Sequence, residues 1–304
     1  MKKSELKKYT IVLYASQIIS TFKQSLSLAV KKREFRFACY LFLVRNSVSI
    51  FGNRAGLSNK RNSNLTLPLR EEGFMELNKL PENTVKRLVE YFLQSQQSEY
   101  ASLKEYFEKH RNDNYVRSKP IDVLLNDDLT RCVLTGLGIL PIISEFLNLP
   151  ESEIVMSANV DASFKIDGER KLRNGYDDAL EFHRDVDSLR FVKAFVYLVD
   201  IEKGFGEHEI CIGSHKSIPF SLRTIHRQTY SNLKANLSNF TLKSIFGKAG
   251  YSWVEDTTTF HRGTVPTLGD RLILTLSFND KKSNLALNGH SYQPLELFYP
   301  LVSE

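Results

Sequence analysis

Residues 271–278, RLILTLSF, alternate strictly between two kinds of side chain. Arg271, Ile273, Thr275 and Ser277 fall on one side of an extended chain, and only apolar residues fall on the other. Because successive side chains of a strand point to opposite faces of a sheet, the run predicts a strand with an apolar packing face. The second face is polar and suits a functional site.

The same period of two extends through the second half of the chain. From Glu153 onward, short candidate strands follow one another without repeating helices between them, and the clearest are residues 154–164 and 191–199. Strands grouped in this way favour an antiparallel barrel or a double-sheet jelly roll. The expected fold class is therefore mainly β with flanking helices.

The first half of the chain shows helical spacing instead. Apolar residues recur every three or four positions in residues 81–97, and helices are also expected within residues 103–110 and 121–149. These segments carry no catalytic signature. Their expected role is to buttress one face of the sheet.

A linker is predicted at residues 52–70, which are polar and rich in turn-forming residues. It separates a basic helical appendage at residues 1–60 from a larger domain at residues 61–304. Within the larger domain, we expect helical support at residues 71–150 and a jelly-roll core at residues 151–280.

Charge is distributed unevenly along the chain. Residues 1–70 contain 14 Lys and Arg against 2 Glu, a net charge of +12, whereas the remainder has 27 basic and 33 acidic residues, a net charge of −6. The apolar stretches at residues 9–30 and 35–51 are interrupted by polar or charged residues, so neither predicts a transmembrane span.

Three hypotheses for this basic region stay open. Its helices pack on the larger domain with their lysines in water, or they contact an anionic membrane surface, or they bind nucleic acid. The last is disfavoured because no nucleic-acid module is recognisable.

Cys39, Cys132 and Cys211 are far apart in the chain and form no Cys-x-x-Cys pair. A cytoplasmic location, with peripheral membrane contact as the alternative, is therefore expected.

A candidate metal site is built from two distant parts of the chain. Side chains at i and i+2 of a strand share a face, so His183 and Asp185 can hold one ion together. His261, 76 positions after Asp185, is the predicted third ligand from another strand. Two imidazoles and one carboxylate, with open positions, are what a non-haem Fe(II) oxygenase needs. Arg271 is then the predicted cation for a dicarboxylate co-substrate.

Five motifs together carry a family resemblance. They are FHRD at residues 182–185, the strand FVKAFVYLVD at 191–200, GSHK at 213–216, HRG at 261–263 followed by Arg271, and EGFM at 72–75. Over residues 71–280 the chain resembles the phytanoyl-CoA dioxygenase family of Fe(II)/2-oxoglutarate oxygenases. The resemblance implies a double-stranded β-helix (jelly roll) catalytic core in which His183, Asp185 and His261 bind iron. It also implies that Arg271 binds the distal carboxylate of 2-oxoglutarate.

The implied activity is a 2-oxoglutarate-dependent dioxygenase that uses Fe(II), 2-oxoglutarate and O2. The expected reaction hydroxylates a small-molecule, lipid or glycan-linked substrate and releases succinate and CO2. Lys193 and Thr275 are further candidate cofactor-binding residues, although a lysine in a strand also commonly extends past the sheet edge into water. Two non-enzymatic alternatives remain: a ligand-binding jelly roll of the same ancestry, and a membrane-surface interaction protein that works through its N-terminal region.

One position departs from the family pattern. Several family members have a small hydroxyl residue two positions after the second histidine, where this chain has Gly263. Thr264, Thr275 or Ser277 is expected to compensate, or Arg271 acts alone.

Other polar residues near the motifs are weaker candidates. Residues 224–248 are predicted to form either a lid over the site or an ordinary surface helix. His208 and its acidic neighbours lack ligand spacing and are not predicted to bind metal. The loop at residues 213–216 is predicted to be a tight turn near the mouth of the site, with contact of His215 with the substrate or with a ligand as the alternative, and Asp187 is expected to orient a ligand or to face the substrate.

Overall fold

The computed structural model describes residues 64–94, 103–112, 121–122, 127–165, 180–185, 190–216, 218–219, 222, 227–237, 240–281 and 293–295. The predicted helices of residues 1–60 lie outside this part of the chain, and so does Asp187.

Six helices are present in the described part of the chain: α1 (Leu67–Glu72), α2 (Glu82–Gln94), α3 (Leu103–Asn112), α4 (Asp127–Leu137), α5 (Leu140–Leu147) and α6 (Tyr230–Asn236). The strands are β1 (Phe74–Glu76), β2 (Ile121–Asp122), β3 (Ile154–Ser163), β4 (Phe182–His183), β5 (Phe191–Tyr197), β6 (His208–Ile212), β7 (Arg227–Gln228), β8 (Thr241–Ile245), β9 (Ser252–Glu255), β10 (His261–Gly263), β11 (Arg271–Asp280) and β12 (Gln293–Pro294).

The strands form two sheets in which every pairing is antiparallel. The major sheet has 7 strands in the order β1-β9-β5-β11-β3-β12, with β2 also paired to β3. The minor sheet has 5 strands in the order β7-β4-β10-β6-β8. This arrangement confirms the predicted fold class, a mainly β double-stranded β-helix with flanking helices.

β11 lies at the centre of the major sheet, between β3 and β5. Its outer face is apolar: Leu274, Leu276 and Phe278 are fully buried among helical residues such as Leu88 and Phe146. Its inner face carries Arg271, Ile273, Thr275 and Ser277. The alternation seen in the sequence therefore separates an apolar face, packed against helices, from a face that carries the candidate site residues.

The helices cover the outer face of the major sheet with the apolar residues that recur at helical spacing. In α2 these residues are Val85, Leu88 and Phe92, which are all buried. Gly138, at φ 62°, makes the turn that separates α4 from α5. Within the described residues no single helix is long and apolar enough to cross a membrane, and one pair, Asp128–Leu137 with Leu140–Leu147, meets these criteria jointly but is bent by 74°.

An apolar cluster rich in aromatic residues fills part of the space between the two sheets. Phe195, Tyr197 and Trp253 from the major sheet meet Ile210 and Ile245 from the minor sheet. The hydroxyl of Tyr197 bridges the sheets, because it donates to the carbonyl of Ile245 at 2.9 Å and accepts from the amide of His208 at 3.0 Å.

The predicted domain boundaries need correction in two places. The linker does not extend to Arg70, because α1 begins at Leu67 and buries Leu69 completely. Arg70 also donates to the carbonyl of Glu145, which fastens α1 to the end of α5. The jelly-roll core is not confined to residues 151–280, since β1, β2 and β12 extend the major sheet. These short strands have too few residues to show a period of two.

The predicted lid over the site is also wrong for the described part of residues 224–248. β7 and β8 are the edge strands of the minor sheet. Between them, α6 buries Leu233 and Leu237 against Phe182 and Cys211, on the face of the minor sheet that points away from the major sheet. The apolar residues scattered in this segment therefore serve an outer packing layer.

Candidate metal centre

The two predicted histidine ligands lie side by side on neighbouring strands of the minor sheet. β4 pairs with β10 so that His183 lies directly opposite His261. Their ring centroids are 4.3 Å apart. The neighbours Phe182 and Phe260 point to the other side and are buried in the outer packing layer. The alternation along each strand thus sends the imidazoles into the space between the sheets.

Both imidazoles are oriented in the same way by the backbone. Nδ1 of His183 lies 2.9 Å from the carbonyl oxygen of Glu181, and Nδ1 of His261 lies 2.9 Å from that of Thr259. A ring that donates through Nδ1 presents Nε2 with its lone pair free, which is the form that binds metal.

Asp185 completes the cluster. Its amide donates to the carbonyl of Thr257 at 2.8 Å, which ties the end of β4 to the turn before β10. Its two carboxylate oxygens lie 3.8 Å from Nε2 of His183 and 3.7 Å from Nε2 of His261. One donor atom from each of the three residues lies within 4.8 Å of the other two.

Lys193 reaches this cluster from β5 in the major sheet. Its ammonium group donates to Asp185 at 2.8 Å. Burial opposes ionisation of Asp185, but Lys193, His261 and His183 together hold the pKa of this carboxyl well below its usual range. The lysine therefore contacts a predicted ligand rather than extending past the sheet edge.

The donor set fits a divalent first-row metal ion. Such ions bond imidazole nitrogen and carboxylate oxygen at about 2.0–2.2 Å, so donors up to about 4 Å apart can share one ion. Each carboxylate oxygen of Asp185 meets this condition with one histidine, Oδ1 at 3.8 Å from Nε2 of His183 and Oδ2 at 3.7 Å from Nε2 of His261. Two histidines and one carboxylate leave further coordination positions open, the pattern of non-haem Fe(II) sites.

Arg271 is buried on the inner face of the major sheet. Its guanidinium donates to the carbonyl of Gly206 at 2.7 Å and to the hydroxyl of Ser163 at 3.0 Å, and it lies 3.7 Å from Asp161. These contacts fix the orientation of its planar fork. A fork held in this way can pair with a carboxylate through two parallel hydrogen bonds.

Gly263 lies where a side chain would meet the guanidinium of Arg271. A Cβ atom there would lie 2.4 Å from Nη1 of Arg271. The guanidinium therefore occupies the space that a side chain would need. Among the residues predicted to compensate, Thr275 is buried on the inner face, and the buried hydroxyls of Thr264 and Ser277 have no hydrogen-bond partner in the described part of the chain.

Glu255 and His208 form a buried pair that was not predicted from the sequence. Oε2 of Glu255 lies 2.9 Å from Nε2 of His208 and accepts from the indole of Trp253 at 3.2 Å. Burial raises the pKa of Glu255 to about 7 and lowers the pKa of His208 to about 3. The only available signal was a glutamate at the end of the short strand SWVE.

His215 lies outside the ligand cluster, and its contacts are with the backbone of one residue and the hydroxyl of another. Nε2 lies 3.0 Å from the carbonyl oxygen of Arg70, and Nδ1 lies 3.3 Å from the hydroxyl of Thr259. It thus links the end of α1 to the turn that precedes His261.

Comparisons with known proteins support the fold. No family model matches the chain, and no curated protein is significantly similar to it in sequence. The structure of EctD from S. alaskensis with 2-oxoglutarate and 5-hydroxyectoine is similar, with 14% identity and a TM-score of 0.52 over 73% of this chain and 77% of EctD. This similarity shows a shared fold.

Two further solved structures were found by the same comparison. One is the non-heme alpha ketoglutarate dependent carbocyclase SnoK from nogalamycin biosynthesis, with 15% identity and a TM-score of 0.47 over 74% of this chain and 85% of SnoK. The other is the non-heme monooxygenase ThoJ, with 15% identity and a TM-score of 0.46 over 71% of this chain and 77% of ThoJ.

Proposed function

We propose that this protein is an Fe(II)- and 2-oxoglutarate-dependent oxygenase that hydroxylates a small organic substrate. The observation that carries the proposal is the convergence of His183, Asp185 and His261, whose donor atoms lie within 4.8 Å of one another between the two sheets. Arg271, buried on the inner face of the major sheet, supplies the cation for a dicarboxylate. The shared fold with EctD, whose structure contains 2-oxoglutarate, supports the same cofactors.

The three ligands have distinct positioning contacts. His183 and His261 hold the ion through Nε2, because Nδ1 of each ring lies 2.9 Å from a carbonyl oxygen. Asp185 binds as a carboxylate, and the hydrogen bond from Lys193 holds it in place. When bound, Fe(II) with 2-oxoglutarate and O2 supplies the oxidation, which releases succinate and CO2.

Arg271 and Thr275 are the residues assigned to the co-substrate. The distal carboxylate of 2-oxoglutarate would pair with the Arg271 fork, whose orientation is already fixed by Gly206 and Ser163. Burial strengthens such a charge pair because water no longer screens it. Thr275 lies four residues along the same face of β11 and offers a hydroxyl to the co-substrate.

Within these oxygenases, we assign the chain to the phytanoyl-CoA dioxygenase-like group on its FHRD, GSHK and HRG motifs. A lipid- or glycan-linked substrate at an anionic membrane agrees with the net charge of +12 in residues 1–70. Basic residues near such a surface contribute about 1 kcal/mol each.

Replacement of the ligands tests the proposal. His183→Ala and Asp185→Ala should each abolish metal-dependent succinate release from 2-oxoglutarate, because each removes one of three bonds to the ion. Asp128→Ala is the matched control, since this exposed carboxylate lies on the outer helices and pairs there with Arg87. Turnover at the wild-type rate in either ligand variant would refute the assignment.

A further inference from the structure

Glu255 is a carboxyl group buried directly behind a proposed metal ligand. Its side chain has no exposed surface, and Oε1 lies 3.3 Å from Nδ1 of His261. That oxygen has no hydrogen-bond partner in the described part of the chain. Buried polar atoms are rarely left without a partner, so the placement of this atom beside His261 calls for a physical reason.

The other carboxyl oxygen is held firmly. Oε2 accepts from the indole of Trp253 and lies 2.9 Å from Nε2 of His208. These contacts leave the Glu255 carboxyl little freedom to rotate, and Oε1 therefore stays directed at His261.

The ring of His208 also stacks on the ring of His261. It lies nearly parallel to the His261 imidazole, with centroids 5.4 Å apart and planes inclined by 17°. Phe195 and Trp253 pack on His208 at 5.2 and 5.3 Å. The His261 ring is thus bounded by His208, by Glu255 and by the carbonyl of Thr259.

Core packing alone does not account for this pair. Burial of a carboxyl and an imidazole costs free energy that two apolar side chains would not incur. A polar group that contacts the second nitrogen of a metal-binding histidine fixes the ring and increases its basicity as a ligand.

We propose that Glu255 and His208 form a positioning pair that orients His261 and strengthens its bond to the metal ion. The inference rests on the proposed metal site and extends it by two residues that touch neither the ion nor the co-substrate. The pair should affect the affinity of the site for the metal ion and the electronic environment of that ion. Both properties can be measured without turnover.

The test uses Co(II) as the probe for the metal site. In the double variant Glu255→Leu/His208→Leu, both members of the pair become apolar, and a cooperative melting transition of the metal-free protein shows that the variant folds although the Trp253 indole has lost its acceptor. The dissociation constant for Co(II), measured by calorimetry, should rise about 10- to 100-fold. The visible absorption spectrum of the bound Co(II) should change because the His261 ring is no longer fixed.

Two single variants test whether a change in Co(II) binding comes from loss of the Glu255 carboxylate. Glu255→Gln keeps the shape and the acceptor for Trp253 but offers His261 no carboxylate, so it should fold normally and weaken Co(II) binding less than the double variant does. Glu209→Gln is the matched control, because Glu209 follows His208 on β6, faces the opposite side of that strand and pairs with Arg262. It should bind Co(II) as the wild type does.

The possible outcomes separate this inference from the function on which it rests. Wild-type Co(II) affinity and spectrum in both Glu255→Gln and the double variant would overturn the positioning role and leave the metal site intact. A wild-type protein that binds no Co(II) would overturn the metal site and the positioning pair together.

Discussion

His183 and His261 make the same contact with the backbone, because Nδ1 of each ring faces the carbonyl of the residue two positions earlier. This regularity follows from their places at the end of β4 and the start of β10, which pair at these two residues. At the scale of single residues, the sequence was informative because His-x-Asp spacing on a strand has a direct geometric meaning.

Gly263 allows a test of the Arg271 assignment. Gly263→Ala places a Cβ atom 2.4 Å from Nη1 of Arg271, so the guanidinium must move away from its present position. A displaced fork loses hydrogen bonds to a charged group, and the KM for 2-oxoglutarate should rise roughly 10- to 100-fold. Steady-state kinetics with varied 2-oxoglutarate measures this change.

A glycine with a different neighbour provides the control for that variant. Among the described residues, a Cβ atom at Gly136 meets a methyl group of Leu80 and a carbon of Pro81, neither of which is near the ligands in the sequence. Gly136→Ala should therefore keep the wild-type KM. An unchanged KM in Gly263→Ala would mean that Arg271 does not bind the co-substrate.

Glu255 and His208 show what residue patterns could not reveal. Neither has ligand spacing in the sequence, and their contact depends on two strands that lie in different sheets. Only the packing of β6 against β9 brings the carboxyl and the imidazole within 2.9 Å.

β11 demonstrates how one strand serves both the core and the site. Its period of two was readable from the sequence because a central strand with one apolar face must alternate. The structure adds the consequence for energetics: adjacent residues of this strand should respond very differently to truncation.

Leu276 and Ser277 are the adjacent pair that tests this contrast. Leu276→Ala removes a fully buried side chain from the outer face and should lower the free energy of unfolding by about 2–5 kcal/mol. Ser277→Ala removes a buried hydroxyl without a hydrogen-bond partner among the described residues, and the free energy of unfolding should not fall. Urea denaturation of both variants measures the difference. Equal destabilisation would contradict the assignment of the two faces.

Short elements were the least predictable. β1 spans 3 residues and β12 spans 2, which is too few for a periodic pattern to be recognised. The lid prediction for residues 224–248 failed because the apolar residues of α6 face an outer packing layer, and no local pattern says which surface an amphipathic helix covers.

At the scale of the whole molecule, the residues of the proposed site come from both sheets. His183, Asp185 and His261 come from the minor sheet and its adjoining turn, whereas Arg271, Thr275 and Lys193 come from the major sheet. The sequence predicted two layers of antiparallel strands, but not their order. Strand order depends on long-range pairings such as that of β1 with β9, which no local pattern contains.

The proposed centre holds one ion through three side chains, and Arg271 anchors the organic partner of that ion. The most direct test is a calorimetric titration of 2-oxoglutarate into the full-length protein, with and without Co(II), alongside the His261→Ala variant. We expect binding to the wild type only when the metal is present, and none to the variant in either condition. Binding of equal strength without metal, or unchanged binding to His261→Ala, would contradict the account.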